Sequence, residues 1–288
     1  MTYTLPPLPP TIIEPMVRRA LDEDFGNSGD VTANLLIPEK AKGKLFMRAR
    51  DTGVISGMQA AEMTYAMVDR DVKLTVKCGN GSAVKSGTII ASIEGNVRSL
   101  LAAERTALNF LGRMSGIATL TAQYVSLVEG TSVRIAATRK TTPGLRALEK
   151  RAVLAGGGQT HRQSLSDAIM IKDNHIALAG GIDKALTAIK SRADHMIHIS
   201  VEVDTLAQLK KALPHSPDVV LLDNMSPNTL RDAVEIVNSY KGRRPTLEAS
   251  GGVNLTTVRA IAESGIDIIS IGALTHSVMN FDIGMDAN

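Results

Sequence analysis

The chain has 288 residues, 44% of them hydrophobic, enough to bury a full core as two domains or one large one, so it is globular. Its formal net charge of +3 and pI near 9.0 come from Lys and Arg dispersed among 29 acidic residues with no basic run, which argues against a nucleic-acid surface. Aromatic residues make up 3% and Trp is absent, so platforms that stack single-stranded bases are also excluded.

The opening MTYTLPPLPP lacks the basic flank and apolar core of a leader or anchor, and no segment approaches about 20 uninterrupted apolar residues. The single cysteine, Cys78, excludes an internal disulfide and reads as a small buried hydrophobe. A cytoplasmic protein bound to neither membrane nor nucleic acid is expected.

Thr11 followed by Glu14 has the spacing of a capping box and predicts a helix with Ile12, Ile13, Met16, Val17, Ala20 and Leu21 on one side. The run Asp22, Glu23, Asp24 reads as its solvated end rather than a metal site. NSGDVTANLL (27–36) has loop composition, followed by strands at KLFMRAR (44–50) and GVISG (53–57) and a helix over 58–69. VKLTVK (72–77) and TIIASIEG (88–95) read as two strands around the Gly-rich GNGSAVKSG (79–87). That hairpin resembles lipoyl- or biotin-carrier folds but lacks their Met-Lys-Met or Asp-Lys-Ala tip, so a structural role is expected. From 97 to 128 the spacing of Leu100, Leu101, Leu108, Leu111 and Met114 predicts a long helix, interrupted by Arg105 and Arg113. Arg105 sits between Leu101 and Leu108, and there it needs an anion if buried, or Glu104 or water if not.

The second half alternates strand and helix. Strands are predicted at 133–138, 168–172, 197–203, 219–223, 246–250 and 268–272, and helices at 143–155, 182–192, 206–213, 227–240 and 255–264. The helix over 143–155 takes Pro143 in its first turn and stops at Gly156-Gly157-Gly158. Such alternation predicts parallel strands, as an α/β barrel two strands short of the usual eight or as a doubly wound sheet.

Parallel α/β folds bind ligands at the C-terminal ends of their strands, and there this chain places its chemistry. Six cationic or imidazole groups, Arg139, Lys140, His161, Arg162, Lys172 and His175, fall within 138–175. Planar Arg forks suit carboxylate or phosphate, so a small, highly anionic ligand is expected. Glu202 and Asp223 supply hard oxygen donors of the kind Mg²⁺ takes when bridging protein to phosphate. Ser250-Gly251-Gly252 and Gly272 are turns whose backbone N–H groups can approach a phosphate. His161 and His175 are both available as proton carriers, with a buried, hydrogen-bonded structural role fitting His175 better. Two other readings use the same residues. A barrel aldolase or sugar-phosphate isomerase would use Lys172 as a Schiff-base nucleophile, and a non-catalytic phosphate-binding module would need neither Glu202 nor Asp223.

The ordered set GDVT (29–32), ERTALNFLGRMSGIAT (104–119), TRKTTPGLRALEKRAVLAGGG (138–158), HRQSLSDAIMIKDNH (161–175), VEV (201–203), LLDN (221–224), EASGGV (248–253) and ISIGALTHS (269–277) resembles the quinolinate phosphoribosyltransferases, type II phosphoribosyltransferases, over nearly the whole chain. The resemblance implies an N-terminal α/β sandwich over 1–116, with a tail (274–288) able to pack back on it, and an incomplete, about six-stranded parallel α/β barrel over 117–273 carrying most of the active site. It implies a homodimer or an assembly of dimers in which the partner subunit lends Arg105. It implies transfer of phosphoribose from phosphoribosyl pyrophosphate to quinolinate with loss of CO₂ and pyrophosphate, assisted by Mg²⁺. On that resemblance Arg105, Arg139, Arg162, His161 and Lys172 hold quinolinate, and Lys140 neutralises phosphate or carboxylate. Glu202 and Asp223 lie near the ribose hydroxyls and Mg²⁺, and Ser250, Gly251, Gly252 and Gly272 seat the 5-phosphate. Thr138, Ser270 and Ile271 complete the binding set, and Lys140, Lys172, Glu202 and Asp223 form the catalytic set. The chain departs from the family pattern at Gln159-Thr160 and at Gln163-Ser164. A molybdenum-associated paralogue shares TRKT and HR but is expected to lack the Lys172-Asp173-Asn174-His175 run.

Overall fold

The structure, a computed structural model, describes residues 6–287. Residues 1–5, part of the opening stretch read as carrying no leader, and Asn288, the end of the tail, lie outside it. The contacts divide the chain into two units. One holds the described residues up to Ala122, Thr141–Gly157 and the stretch from Ser277 onward, and the other holds Gln123–Lys140 and Gly158–His276.

The first unit opens with α1 (Pro10–Phe25). The predicted capping box does not form: the N-cap is Pro9, no side chain caps the helix, and Pro10 starts the turn with a φ already fixed near the helical value. The buried stripe is Ile13, Val17 and Leu21, narrower than predicted, with Ile12 turned outward. Asp22, Glu23 and Asp24 are exposed, as expected of a solvated end. The stretch read as loop contains a short helix, α2 (Val31–Leu36), because Asp30 Oδ1 accepts from Ala33 N at 2.9 Å.

Then come β1 (Lys42–Ala49), β2 (Gly53–Val54), α3 (Met58–Val68), β3 (Lys73–Val76), β4 (Ala83–Val84), β5 (Ile89–Asn96) and α4 (Val97–Leu127). The predicted strand at 53–57 shrinks to two residues that pair with β4, inside the Gly-rich connection. After α4 the chain runs β6 (Arg134–Ala136), α5 (Arg146–Ala155), β7 (Ile169–Ile171), α6 (Asp173–Ala179), α7 (Ile182–Lys190), β8 (Ile199–Val203), α8 (Leu206–Ala212), β9 (Val219–Asp223), α9 (Pro227–Ser239), β10 (Thr246–Ser250), α10 (Val258–Ala262), β11 (Ile268–Ser270), α11 (Ala273–His276) and β12 (Ile283–Asp286).

In the first unit an antiparallel sheet of order β12-β1-β5-β3 lays Met47, Ile90 and Ile93 against Tyr65 of α3 and Leu100 and Leu111 of α4. β12 returns along β1 with Met47 opposite Met285, and Phe281 and Ile283 enter the same core. Cys78 is half-buried and packs at its margin.

The sequence reading made 143–155 a crossover helix between two strands of one sheet, and the structure corrects it. Pro143 and Gly144 form a turn ahead of α5, with Gly144 at φ 82°, and the helix packs within the first unit. The reason is its buried polar face. Fully buried Glu149 accepts from Arg113 Nη2 at 2.9 Å, from Thr142 Oγ1 at 2.7 Å and from Thr142 N at 3.1 Å, satisfying a charge that could not be buried alone.

The second unit is built on a six-stranded sheet of order β6-β11-β10-β9-β8-β7, parallel at every pairing. Strand order follows the chain from β7 to β11 and then returns to β6, which is the cyclic order of a barrel whose β6–β7 seam carries no ladder among the described residues. The expected incomplete parallel α/β barrel is therefore the fold observed. At the seam Gln159 bridges to β6: Gln159 N donates to Ile135 O at 2.8 Å and Ala137 N to Gln159 O at 2.9 Å. These bonds are made by backbone, so the departure from the family pattern at Gln159 leaves them intact.

Candidate active site

Side chains alternate along a strand, so a residue at a strand end shares its face with those two and four positions back. On β8 the face that ends at Glu202 includes Ser200, on β9 the face that ends at Asp223 includes Leu221, and on β10 the face that ends at Ser250 includes Glu248. These residues, Ser200 excepted, line one cavity of about 780 Å³ at the C-terminal mouth of the sheet, with Thr138, Arg139, Lys140, His161, Arg162, Lys172, Gly251, Gly252, Ser270, Ile271 and Gly272. Fourteen of the fifteen predicted substrate residues thus meet in a single cavity formed within the second unit. The fifteenth, Arg105, lies in the first unit, exposed on α4 beside Glu104.

The cationic wall begins where β6 leaves the sheet. Thr138 Oγ1 accepts from Lys140 N at 3.0 Å, and Thr275 Oγ1 donates to Lys140 O at 2.6 Å, so the TRK turn is held at both ends. Arg162 is anchored through Nη1 to Ala168 O at 2.8 Å, just before β7. Burial, and then the neighbouring charge of Arg139, push its guanidinium below the usual value, with Asp167 acting the other way. Two guanidinium groups held close together are offset by an anion between them. Of the Gln163-Ser164 departure, only Ser164 has a visible use: its Oγ donates to the Asp167 carboxylate, which also accepts from the backbone N–H groups of both residues, closing the loop that presents Leu165 to the cavity.

On the acidic side Lys172 Nζ is ion-paired with Glu202 Oε2, and Asp223 Oδ2 accepts from Asn224 Nδ2 at 2.7 Å. Asn224 holds a left-handed backbone (φ 51°) and donates its N–H to Ser250 O at 2.8 Å, tying the β9 turn to the β10 end. Gly251 needs its hydrogen: φ is 90°, and a Cβ there would strike the Asn224 side chain and stand 3.0 Å from its N. At Gly272 the constraint is approach instead, since a Cβ would meet Lys140 Cδ at 2.8 Å and His276 Nε2 at 3.0 Å.

His175 departs from the reading of the sequence. It is exposed, and its Nδ1 accepts from Lys172 N at 2.9 Å, which caps α6, a helix the sequence reading had missed. It is hydrogen-bonded, as expected, but it is not buried, and it lines the cavity. Two titratable lining residues, Glu248 and His276, were not singled out from the sequence. The period of two on β10 would have found Glu248, and His276 follows Gly272 by one helical turn.

No group of three or more His, Cys, Asp or Glu among the described residues could hold a metal by itself. Two carboxylates that need phosphate oxygens to complete a shell suit Mg²⁺, which dehydrates reluctantly and is held in this way. Asp223 is the more available of the two, because Glu202 is engaged by Lys172. No helix among the described residues is long and apolar enough to cross a membrane.

The family models for the N-terminal and C-terminal domains of quinolinate phosphoribosyl transferase match residues 30–115 and 117–286. Among curated proteins, quinolinate phosphoribosyltransferase (decarboxylating) 2a, mitochondrial, from Nicotiana tabacum is 40% identical over 97% of this chain and 84% of its own length. Nicotinate-nucleotide pyrophosphorylase (carboxylating), chloroplastic, from Arabidopsis thaliana is 39% identical over the same shares. The crystal structure of NadC from Streptococcus pyogenes superposes with a TM-score of 0.93 at 37% identity, covering 98% of each chain. The nicotinate-nucleotide pyrophosphorylase from Francisella tularensis gives 0.91 at 36% identity, covering 100% of both.

Proposed function

This chain belongs to the quinolinate phosphoribosyltransferase family, and we propose that the strand-end cavity of its barrel is where quinolinate meets phosphoribosyl pyrophosphate. The reaction is pentosyl transfer with decarboxylation, giving nicotinate mononucleotide, pyrophosphate and CO₂ in de novo NAD biosynthesis. The observation that carries the site assignment is the meeting of Arg139, Arg162, Lys172 and His161 with Glu202, Asp223 and two glycine turns in one cavity.

Quinolinate has two carboxylates on adjacent ring carbons. Arg139 and Arg162, with His161 and Lys172, hold it so that the ring nitrogen faces the ribose, and Arg105 from the partner subunit adds a further cation. Ser250, Gly251, Gly252 and Gly272 seat the 5-phosphate, with Thr138, Ser270 and Ile271 shaping the floor. Glu202 and Asp223 face the ribose, where positive charge grows at C1 as pyrophosphate departs, and Lys140 neutralises the phosphate side. Such a centre needs orientation and electrostatics more than covalent help from protein. Mg²⁺, when bound, supplies positive charge to the departing pyrophosphate, with Glu202 and Asp223 as its protein donors. Once ribose joins the nitrogen, the cationic ring accepts the electrons left by CO₂, so no separate electron sink is required.

The Schiff-base alternative is disfavoured by Lys172 itself: a nucleophilic amine is made by desolvation or by a neighbouring cation, whereas this one is half-exposed and ion-paired with Glu202. The cytoplasmic setting belongs to the same proposal, supported by a lone thiol with no disulfide partner.

The test is an assay of purified protein with phosphoribosyl pyrophosphate and quinolinate, nicotinate or phthalate in turn, following CO₂ and pyrophosphate. Quinolinate alone should yield both products, and removal of Mg²⁺ with EDTA should stop turnover. Pyrophosphate release with nicotinate at a comparable rate, or none with quinolinate, would overturn the assignment.

A further inference from the structure

The cavity holds three carboxylates, Glu202, Asp223 and Glu248, and only the first two have a part in the proposed reaction. Glu202 is ion-paired with Lys172 and Asp223 accepts from Asn224. Glu248, on β10, is only 3% exposed. Its Oε1 is buried and accepts no hydrogen bond among the described residues, while its Oε2 stands 3.7 Å from His161 Nε2, within ion-pair reach but too long for a hydrogen bond. A carboxylate buried with so little compensation is costly, and an apolar side chain of similar volume packs in such a place at less cost. Fold stability alone therefore gives no reason for a carboxylate at this position. What it does face is the imidazole of the quinolinate wall.

We propose that Glu248 is a positioning residue for quinolinate. A carboxylate opposite Nε2 sets the direction of the ring, as carboxylates do for histidines that must present a defined edge to a ligand. At 3.7 Å the pair is within ion-pair reach, and functional hydrogen bonds are commonly long until a ligand completes them. Glu248 itself does not touch the reacting atoms, and its effect on the substrate passes through His161. This inference rests on the reading of the cavity as the quinolinate site.

The test is Glu248→Gln, which keeps shape and removes charge. Its quinolinate KM should rise about tenfold while kcat and the KM for phosphoribosyl pyrophosphate stay within about twofold, because a charged contact to one substrate is weakened and nothing else changes. Its Tm should equal or exceed that of the wild type. Glu248→Asp, which keeps the charge but withdraws it by one methylene, should give an intermediate rise. His161→Asn should raise the quinolinate KM as Glu248→Gln does, and the double variant should add little, since both changes act through one ring. The proposal is overturned if Glu248→Gln leaves the quinolinate KM unchanged, if it lowers Tm and raises both KM values together, or if the two changes multiply independently. A wild-type protein with no quinolinate-dependent turnover would instead remove the site assignment, and that outcome is read before any variant is made.

Discussion

At the scale of the residue, the cavity sets like charges side by side. Arg162 sits beside Arg139, and burial together with that neighbour disfavours its charged form. A dianion between them reverses this cost. Arg162→Ala removes one fork. A lost hydrogen bond to a charged group is worth about 1.5–3 kcal/mol, so the quinolinate KM should rise about ten- to a hundredfold with the Tm little changed. Steady-state kinetics at low quinolinate decides it, and near-wild-type turnover there would count against the assignment. Arg162→Lys should not rescue fully, since a single ammonium cannot reproduce a planar fork.

At the scale of the element, strand ends and their turns do the positioning. Gly251 at φ 90° and Asn224 at φ 51° pack against each other where β10 and β9 leave the sheet. Gly251→Ala adds a Cβ in a left-handed conformation, at a cost of roughly 1–2 kcal/mol before any clash, and drives it into the Asn224 side chain. The KM for phosphoribosyl pyrophosphate should rise about tenfold or more while quinolinate binding, measured by calorimetry, changes little. Equal losses for both ligands would mean that the turn supports the whole cavity rather than the phosphate end. α5 illustrates why element roles are hard to read in isolation. Its periodicity predicted a helix correctly, but its partner depends on Glu149, whose acceptors are filled by Arg113 and Thr142.

At the scale of the whole molecule, the proposed homodimer is a statement about Arg105, the one predicted site residue outside the second unit. If the partner subunit supplies it, Arg105→Ala and Lys172→Ala are each inactive but complement one another. Random reassociation of equal amounts gives half heterodimers with one intact site each, so about a quarter of wild-type activity should return. Activity measured after mixing and re-equilibration tests this, and no recovery would place both residues in sites made by one subunit.

Much of this was legible in the sequence. Period-two and period-3.6 patterns determined the parallel strands, most helices and the residues at the strand ends, because local alternation follows directly from backbone geometry. Short elements escaped. α2 and α6 are capped by single side chains, Asp30 and His175, and are too brief for periodicity to register. Predicted boundaries shifted where a turn took over, as at α10, which starts at Val258 once the Asn254 side chain has taken the N–H groups of Thr256 and Thr257. Only the tertiary structure decided that β11 closes back beside β6, that β12 pairs with β1, and that Glu248 faces His161. Those contacts join residues far apart in the chain, and their existence depends on which surfaces the packed core brings together, a choice that no local pattern encodes.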